Sequence, residues 1–442
     1  MKTCNFLKEK LSIFSMFIFI SLFCSGQDVF TFEEVIKIAL EENLEIKIKE
    51  NKFIQADNIA NFGSAGLLPK IDIIGSVSGN KGISSLEFAT DEFPAIDDMD
   101  SESSSYNGNL QLSYNIFNGL ASIYTLRKLN KLSDISSLEM QIEIERVILN
   151  VAKQFYDIAF LQEQLEIQKE LISISNERYD RLKLQYSFGN VSKLDLLSAQ
   201  IDLSSDSIQF ISCITELNNA KNVLNQTLNR NIKTNFTVVN SIDLEANLNL
   251  EDLSSKVKSN NNYIILQQYR TDLTKTDEKM HYSSFLPKVN LNAQYGYNKS
   301  ESNTSLILNQ DYMGFTAFLN VSWNIFDGLT RRKKLQNAKI EVESNKLQLI
   351  SIQKQIEREL INVYNQYTNT INLIKIGERS VSTAEKFFER AQNQFYQGSI
   401  TKNEFRLSQL DLSSSKSMLN KHIYNAKLAE LKLYSLCGEI IK

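Results

Sequence analysis

Two carboxylates stand where their spacing gives them defined work. Asp195 follows Ser192 by three residues, and Glu404 follows Thr401 by three. Ser/Thr-x-x-Asp/Glu is a capping box. The hydroxyl of the first residue accepts from the backbone N–H of the fourth, and that carboxylate reaches back to the first residue's own N–H. Each box comes three residues after a glycine, Gly189 or Gly398, suited to end a preceding helix in a left-handed conformation. The stretches from Tyr186 to Asp195 and from Phe395 to Glu404 therefore read as the tips of two helical hairpins. Other chemistry is not visible. His281 and His422 lie far apart in sequence, and there is no nucleophile–base pair and no Gly-rich phosphate loop after a strand. No enzyme activity, cofactor or metal is expected.

The elements that carry these tips are long. Only three prolines and 15 glycines interrupt 442 residues, which favours extended uninterrupted elements. From Ala121 to about Gln185 the pattern is helical, with Ile144, Ile148, Val151, Phe155 and Ile158 forming a coiled-coil seam. At 1.5 Å per residue such a helix is about 100 Å long. A partner returns from Ser192 to Leu228, and an Asn-rich linker with a short strand at Phe236–Val239 follows. Ahead of this hairpin, Thr31 caps a helix beginning Phe32-Glu33-Glu34, with helical character towards Ala65. Pro69, in Leu68-Pro69-Lys70, marks a helix-to-strand junction, since proline disfavours helix in the residue before it. A strand pair at 71–79 and 108–117 alternates apolar and polar residues, closing at Asn118-Gly119. Residues 80–107, acidic and Ser-rich without periodicity, read as a solvated surface loop.

The plan then recurs. Leu250-Glu251-Asp252-Leu253 answers Phe32-Glu33-Glu34-Val35. Leu286-Pro287-Lys288 answers the first junction, with Pro287 in the role of Pro69. Asn324-Ile325-Phe326-Asp327-Gly328 answers Asn115-Ile116-Phe117-Asn118-Gly119. A second strand pair, 289–298 and 315–326, leads into a second helix with Ile352, Ile356, Leu360, Val363, Tyr367, Ile371 and Ile374 on its seam. The expected organisation is a first repeat at 27–249, with its hairpin at 121–228, and a second at 250–442, with its hairpin at 329–437. Residues 1–26 read as a secretory signal, with Lys2, Lys8 and Lys10 before an apolar run and cleavage before Gln27. Acylation of Cys24 is the alternative. Cys213 and Cys437 then remain, as small buried apolar residues.

Strands with apolar residues on one face and Asn, Gln or Ser on the other suit a membrane barrel, lipid outside and water within. Four strands cannot close, and an open edge in lipid leaves backbone groups unpaired. The barrel must be shared between chains. Two would supply eight strands and a lumen filled by side chains, whereas three would supply twelve and leave room for solute. A symmetric oligomer, most simply a homotrimer, is expected, with the helices continuing into the periplasm. A periplasm-spanning structural coiled coil or adhesin is the competing reading. It explains the seams but not the alternating strands. A net charge of −4 gives no case for nucleic acid.

The duplicated order of signal, helix, Leu-Pro-Lys, strand, loop, strand with Asn-x-Phe-x-Gly, long helix and Gly hairpin resembles the TolC-type outer membrane efflux proteins over nearly the whole mature chain. The resemblance implies a mixed α and β membrane protein: a trimeric twelve-stranded β-barrel on a periplasmic α-helical barrel. It implies export of drugs or proteins from a Gram-negative cell. The implied partners are a periplasmic adaptor (membrane fusion) protein, an inner-membrane pump of RND or ABC type and outer membrane lipid. It also implies a closed entrance ringed by acids at the second-repeat tip. The first acid falls six residues after the hairpin glycine, at Glu404, with Asp195 its repeat-one equivalent. The second falls at Leu407, so the double acidic ring is incomplete here and cation block should be weaker or built differently. Capping and gating can coexist at both acids. Tyr186 and Phe395 serve either packing within the tips or, with Gly189, Ser192, Gly398 and Thr401, adaptor docking. Arg331-Arg332-Lys333-Lys334 reads as a solvated helix start near lipid headgroups.

Overall fold

The computed structural model describes residues 28–87, 89, 94–240, 242–245, 248–305 and 307–440. The signal segment and Cys24 lie outside the described residues. In chain order the elements are β1 (Asp28–Phe30), α1 (Phe32–Glu42), α2 (Leu44–Ile59), β2 (Lys70–Leu86), β3 (Ile96–Phe117), α3 (Ala121–Ser187) and α4 (Lys193–Thr227). They continue with β4 (Phe236–Val238), α5 (Leu250–Asn260), α6 (Asn262–Ser283), β5 (Lys288–Ser302), β6 (Asn309–Ser322), α7 (Thr330–Tyr396) and α8 (Lys402–Leu436). Two compact units result, and each draws on both halves of the sequence.

One unit holds the described residues up to Ile48, Ile142–Asn261 and the described residues from Gln355 onward. Its core is the seam expected from spacing. Ile148, Val151, Phe155 and Ile158 of α3 are buried, as are Ile356, Leu360, Val363 and Tyr367 of α7. Phe32 meets Phe155 edge-on at 5.6 Å, and Val35, Leu224 and Phe236 complete the cluster. β1 and β4 pair in parallel, placing the Phe236 strand beside an N-terminal strand that alternation had not revealed. Thr31 and Glu34 form a capping box at α1. Helical character then breaks at Asn43, whose side-chain oxygen accepts from the N–H of Glu45 and Ile46 at 2.9 and 3.2 Å. Its amide donates to the Thr227 carbonyl at 2.8 Å. Asn261 repeats this, donating to the Leu436 carbonyl at 2.9 Å. In each half a buried asparagine pins the entry helices to the end of the returning hairpin helix. Cys213 and Cys437 are free and buried.

The other unit holds Lys49–Gln141 and Asn262–Lys354. Its centre is one antiparallel sheet of order β2-β3-β5-β6. The register aligns residues of like character. Ile73 faces Leu110, Leu110 faces Tyr295, and Tyr295 faces Phe315, making an apolar row across all four strands. The neighbouring row, Asp72, Gln111, Gln294 and Thr316, is polar. Cross-strand partners point to the same face, so one face of the sheet is apolar and the other largely polar.

Three expectations are corrected here. The stretch 80–107 is not a loop through most of its length, because β2 and β3 continue pairing from Ser78 with Ser105 to Ser84 with Met99. Alternation reveals a strand only where one face is apolar. This ribbon is mostly Ser, Gly, Asn and acids, with Ile83 and Met99 too isolated to give a period, and it is held by backbone bonds and by an ion pair of Lys81 with the directly opposite Glu102. The fourth strand ends at Ser322 and not at 326, because its partner strand begins at Lys288 and Pro287 before it has no N–H to extend the ladder. Finally, helix stops at Ile59 rather than near Ala65, in a turn where the Asn61 side chain accepts from the Ser64 N–H at 2.8 Å. Pro69 and Pro287 directly precede β2 and β5.

Candidate functional site: the hairpin tips

Both tips are built twice over from the same two devices. At the end of α3, the Asn190 N–H donates to the Gln185 carbonyl at 2.9 Å and the Gly189 N–H to that of Tyr186 at 3.0 Å. At the end of α7, Ser399 donates to Gln394 at 2.8 Å and Gly398 to Phe395 at 3.0 Å. This is the Schellman motif, and it needs its glycine at positive φ, here +78° and +74°. Each chain then turns into a capping box. The Asp195 N–H donates to Ser192 Oγ at 3.2 Å, and the Ser192 N–H and hydroxyl donate to Asp195 Oδ2 at 3.3 and 2.8 Å. The Glu404 N–H donates to Thr401 Oγ1 at 3.3 Å, and the Thr401 N–H and hydroxyl donate to Glu404 Oε2 at 2.7 and 2.9 Å.

The two carboxylates differ beyond the cap. Asp195 Oδ1 pairs with Lys402 of the other tip. That bond, then those from Ser192, hold the Asp195 carboxyl below the usual aspartate range. Glu404 is held below the ordinary glutamate range by the backbone and hydroxyl of Thr401, and it projects into solvent. Leu407 is 58% exposed one helical turn further along α8. Phe395 stacks on the buried Phe405 with centroids 4.6 Å apart, so its contacts are packing within the tip. Tyr186 is exposed, with the Lys193 ammonium 5.3 Å from its ring. Arg181, Gln185, Asp195, Phe395, Gly398 and Lys402 border a cleft of about 440 Å³ between the tips.

A ladder of polar links between the hairpins was not read from spacing. The Tyr396 hydroxyl donates to Glu177 Oε1 at 2.7 Å, and the Arg181 guanidinium lies 4.2 Å above its ring. Burial, then the Glu177 bond, pushes the Tyr396 phenol up. Arg406 of α8 grips Asp206 of α4 through two bonds of 2.8 and 2.6 Å. Ser175 of α3 donates to the same carboxylate at 2.5 Å. The Asp206 side chain is only 5% exposed. Lys416 and Glu170 pair at 3.0 Å further along. One signal was present: Asp206 sits seven residues from both Ala199 and Cys213, in the buried seam of α4. An acid at a seam position asks for a partner.

Among the described residues no group of three or more His, Cys, Asp and Glu side chains could hold a metal ion, and no helix is long and apolar enough to cross a membrane. The sequence itself matches the outer membrane efflux protein family twice, over residues 35–230 and 253–439. The chain belongs to that family. The fold agrees with solved channel structures at low identity. The outer membrane channel CmeC of Campylobacter jejuni superposes with a TM-score of 0.75 at 16% identity, covering 92% of this chain and 86% of that one. CusC gives 0.74 at 16%, covering 92% of each chain. The open-state MtrE outer membrane channel of Neisseria gonorrhoeae gives 0.72 at 14%, covering 93% and 89%. No curated protein matches the sequence. This efflux-family chain thus repeats the Gly turn and capping box at both tips, and among the described residues Asp195 has a cationic partner and Glu404 has none.

Proposed function

We propose that this protein is the outer membrane exit duct of a tripartite efflux or type I secretion system, a passive conduit made by three copies and gated at its hairpin tips. The observation that carries the proposal is the bare apolar face of the sheet. Ile73 is 86% exposed and Phe315 66% in the single chain. An apolar face of four strands is stable in water only if covered, and a bilayer covers it while the Asn- and Gln-rich face meets an aqueous lumen. The sheet edges support sharing. β2 and β6 are terminal strands running in opposite directions. The β6 edge of one copy can therefore meet the β2 edge of the next in antiparallel pairing, and three copies close twelve strands with no free edge. On α4, Leu194, Leu197, Ile201, Ile208 and Ile211 are exposed, an apolar stripe that neighbouring helices of a ring would bury.

At the periplasmic entrance, the links of Lys402 with Asp195, Tyr396 with Glu177 and Arg406 with Asp206 hold hairpin to hairpin and so keep the tips together. Glu404, without a cationic partner among the described residues and followed by Leu407, gives a single acidic ring rather than a double one. The cleft between the tips is the docking surface for a periplasmic adaptor, which in turn joins an inner-membrane pump of RND or ABC type. The apolar sheet face is what a soluble coiled coil or adhesin leaves unexplained. Glu404→Gln in planar bilayers tests the gate: altered conductance or cation block is expected, and unchanged single-channel behaviour leaves Glu404 a capping residue only.

A further inference from the structure

The two strand-to-helix junctions, alike in sequence, are put to different uses. In the first, Asn118 accepts from the Ser122 N–H at 3.2 Å and the Ser122 hydroxyl donates to the Gly66 carbonyl at 3.2 Å. A Cβ on Gly119 would lie 2.2 Å from the Ser283 carbonyl oxygen. That junction is covered, and its helix carries no basic residue before Arg127. In the second, nothing lies within 4 Å of a Cβ on Gly328. Trp323 is 61% exposed and Phe326 76% exposed. The indole N–H of Trp323 donates to the Phe285 carbonyl at 3.1 Å, which fixes the ring in place. Four cations follow. Arg331 is engaged, donating to Asp327 at 3.0 Å and to the Ser284 carbonyl at 2.9 Å. Arg332, Lys333 and Lys334 are exposed, and none forms an ion pair among the described residues.

We infer that Trp323, Phe326, Arg332, Lys333 and Lys334 form a binding surface for anionic phospholipid headgroups in the inner leaflet of the outer membrane. The inference rests on the channel reading above, which puts the periplasmic end of the strands at that leaflet. An amphipathic indole beside exposed aliphatic and aromatic side chains suits the water–hydrocarbon interface. Three cations without carboxylate partners supply the charge complement of a phosphodiester. Successive helix residues turn by about 100°, so 332 to 334 sweep roughly 200° of the helix surface. A neighbouring copy packed on one side therefore leaves part of the cluster free.

Each cation near an anionic surface strengthens attachment by about fivefold. The test uses the full chain reconstituted in phosphatidylcholine vesicles containing photoactivatable phosphatidylglycerol or, in parallel, photoactivatable phosphatidylcholine. Labelled peptides are mapped by mass spectrometry. The expected result is at least tenfold preference for phosphatidylglycerol at the peptides spanning 323–334. That preference should fall in high salt and disappear in Arg332→Gln/Lys333→Gln/Lys334→Gln, which still inserts and oligomerises. Equal labelling by both lipids overturns the inference while leaving the channel reading intact. Labelling unaffected by the triple substitution, with loss of cross-linking to a protein partner, overturns it in favour of a protein ligand. Failure of the unaltered chain to insert at all overturns the channel reading itself.

Discussion

Arg406 and Asp206 allow a quantitative test of the link between the hairpins. The pair is nearly dry, with side-chain exposures of 14% and 5%. Arg406→Met keeps most of the buried volume but strands the Asp206 carboxylate with Ser175 alone. Removing one partner of a buried pair costs about 3–5 kcal/mol, because the other charge stays buried. Asp206→Leu should cost a similar amount for the stranded guanidinium. Replacing both by Met and Leu should cost far less, since an apolar pair of like volume is often neutral or better. The double-mutant cycle is then strongly non-additive, with a coupling of about 3 kcal/mol. It is read from thermal or denaturant unfolding of the purified oligomer, with single-channel conductance alongside. Each single substitution should raise conductance by loosening the tips. A coupling below about 1 kcal/mol, the range of solvent-exposed pairs, would refute the assignment of this contact as the lock between hairpins.

Other expectations concern the tips and the core. The Asp195 carboxyl is depressed by Lys402 and Ser192, so its stabilising contribution is present above the ordinary aspartate value of about 3.9 and is lost as pH falls through the depressed one. Conductance should accordingly rise in that acid window, and Asp195→Asn should raise it at neutral pH and flatten the acid response. Gly398→Ala places a Cβ in open space but at φ +74°, a strain of roughly 1–2 kcal/mol. The oligomer should survive on gels while adaptor cross-linking drops. Phe155→Ala, in the centre of the helical core, should destabilise by about 3–5 kcal/mol, measured by denaturant unfolding.

What was legible in the sequence follows a physical rule. The α3 and α7 seams and the caps at Thr31, Ser192 and Thr401 were readable because each is a local pattern with a fixed period. The β2–β3 ribbon beyond Ser78 was not, because its few apolar residues, Ile83 and Met99 among them, do not alternate and only backbone pairing marks it. The contacts of Arg406 with Asp206 and Tyr396 with Glu177 join residues some two hundred positions apart, and no local pattern reports such pairing. Asn43 and Asn261 look like ordinary loop asparagines until their amides are found on Thr227 and Leu436. The tips were legible in part: both glycines and both capping boxes stood in the sequence, but not the Lys402 bond that makes Asp195 and Glu404 unlike.

Purification from membranes with light scattering for mass, followed by planar-bilayer recording, addresses the channel directly. Three copies of the mature chain, after loss of the signal segment, in a heat-modifiable complex that conducts ions are expected. A water-soluble monomer without conductance would contradict it, leaving the apolar face through Ile73, Leu110, Tyr295 and Phe315 without a bilayer to cover it.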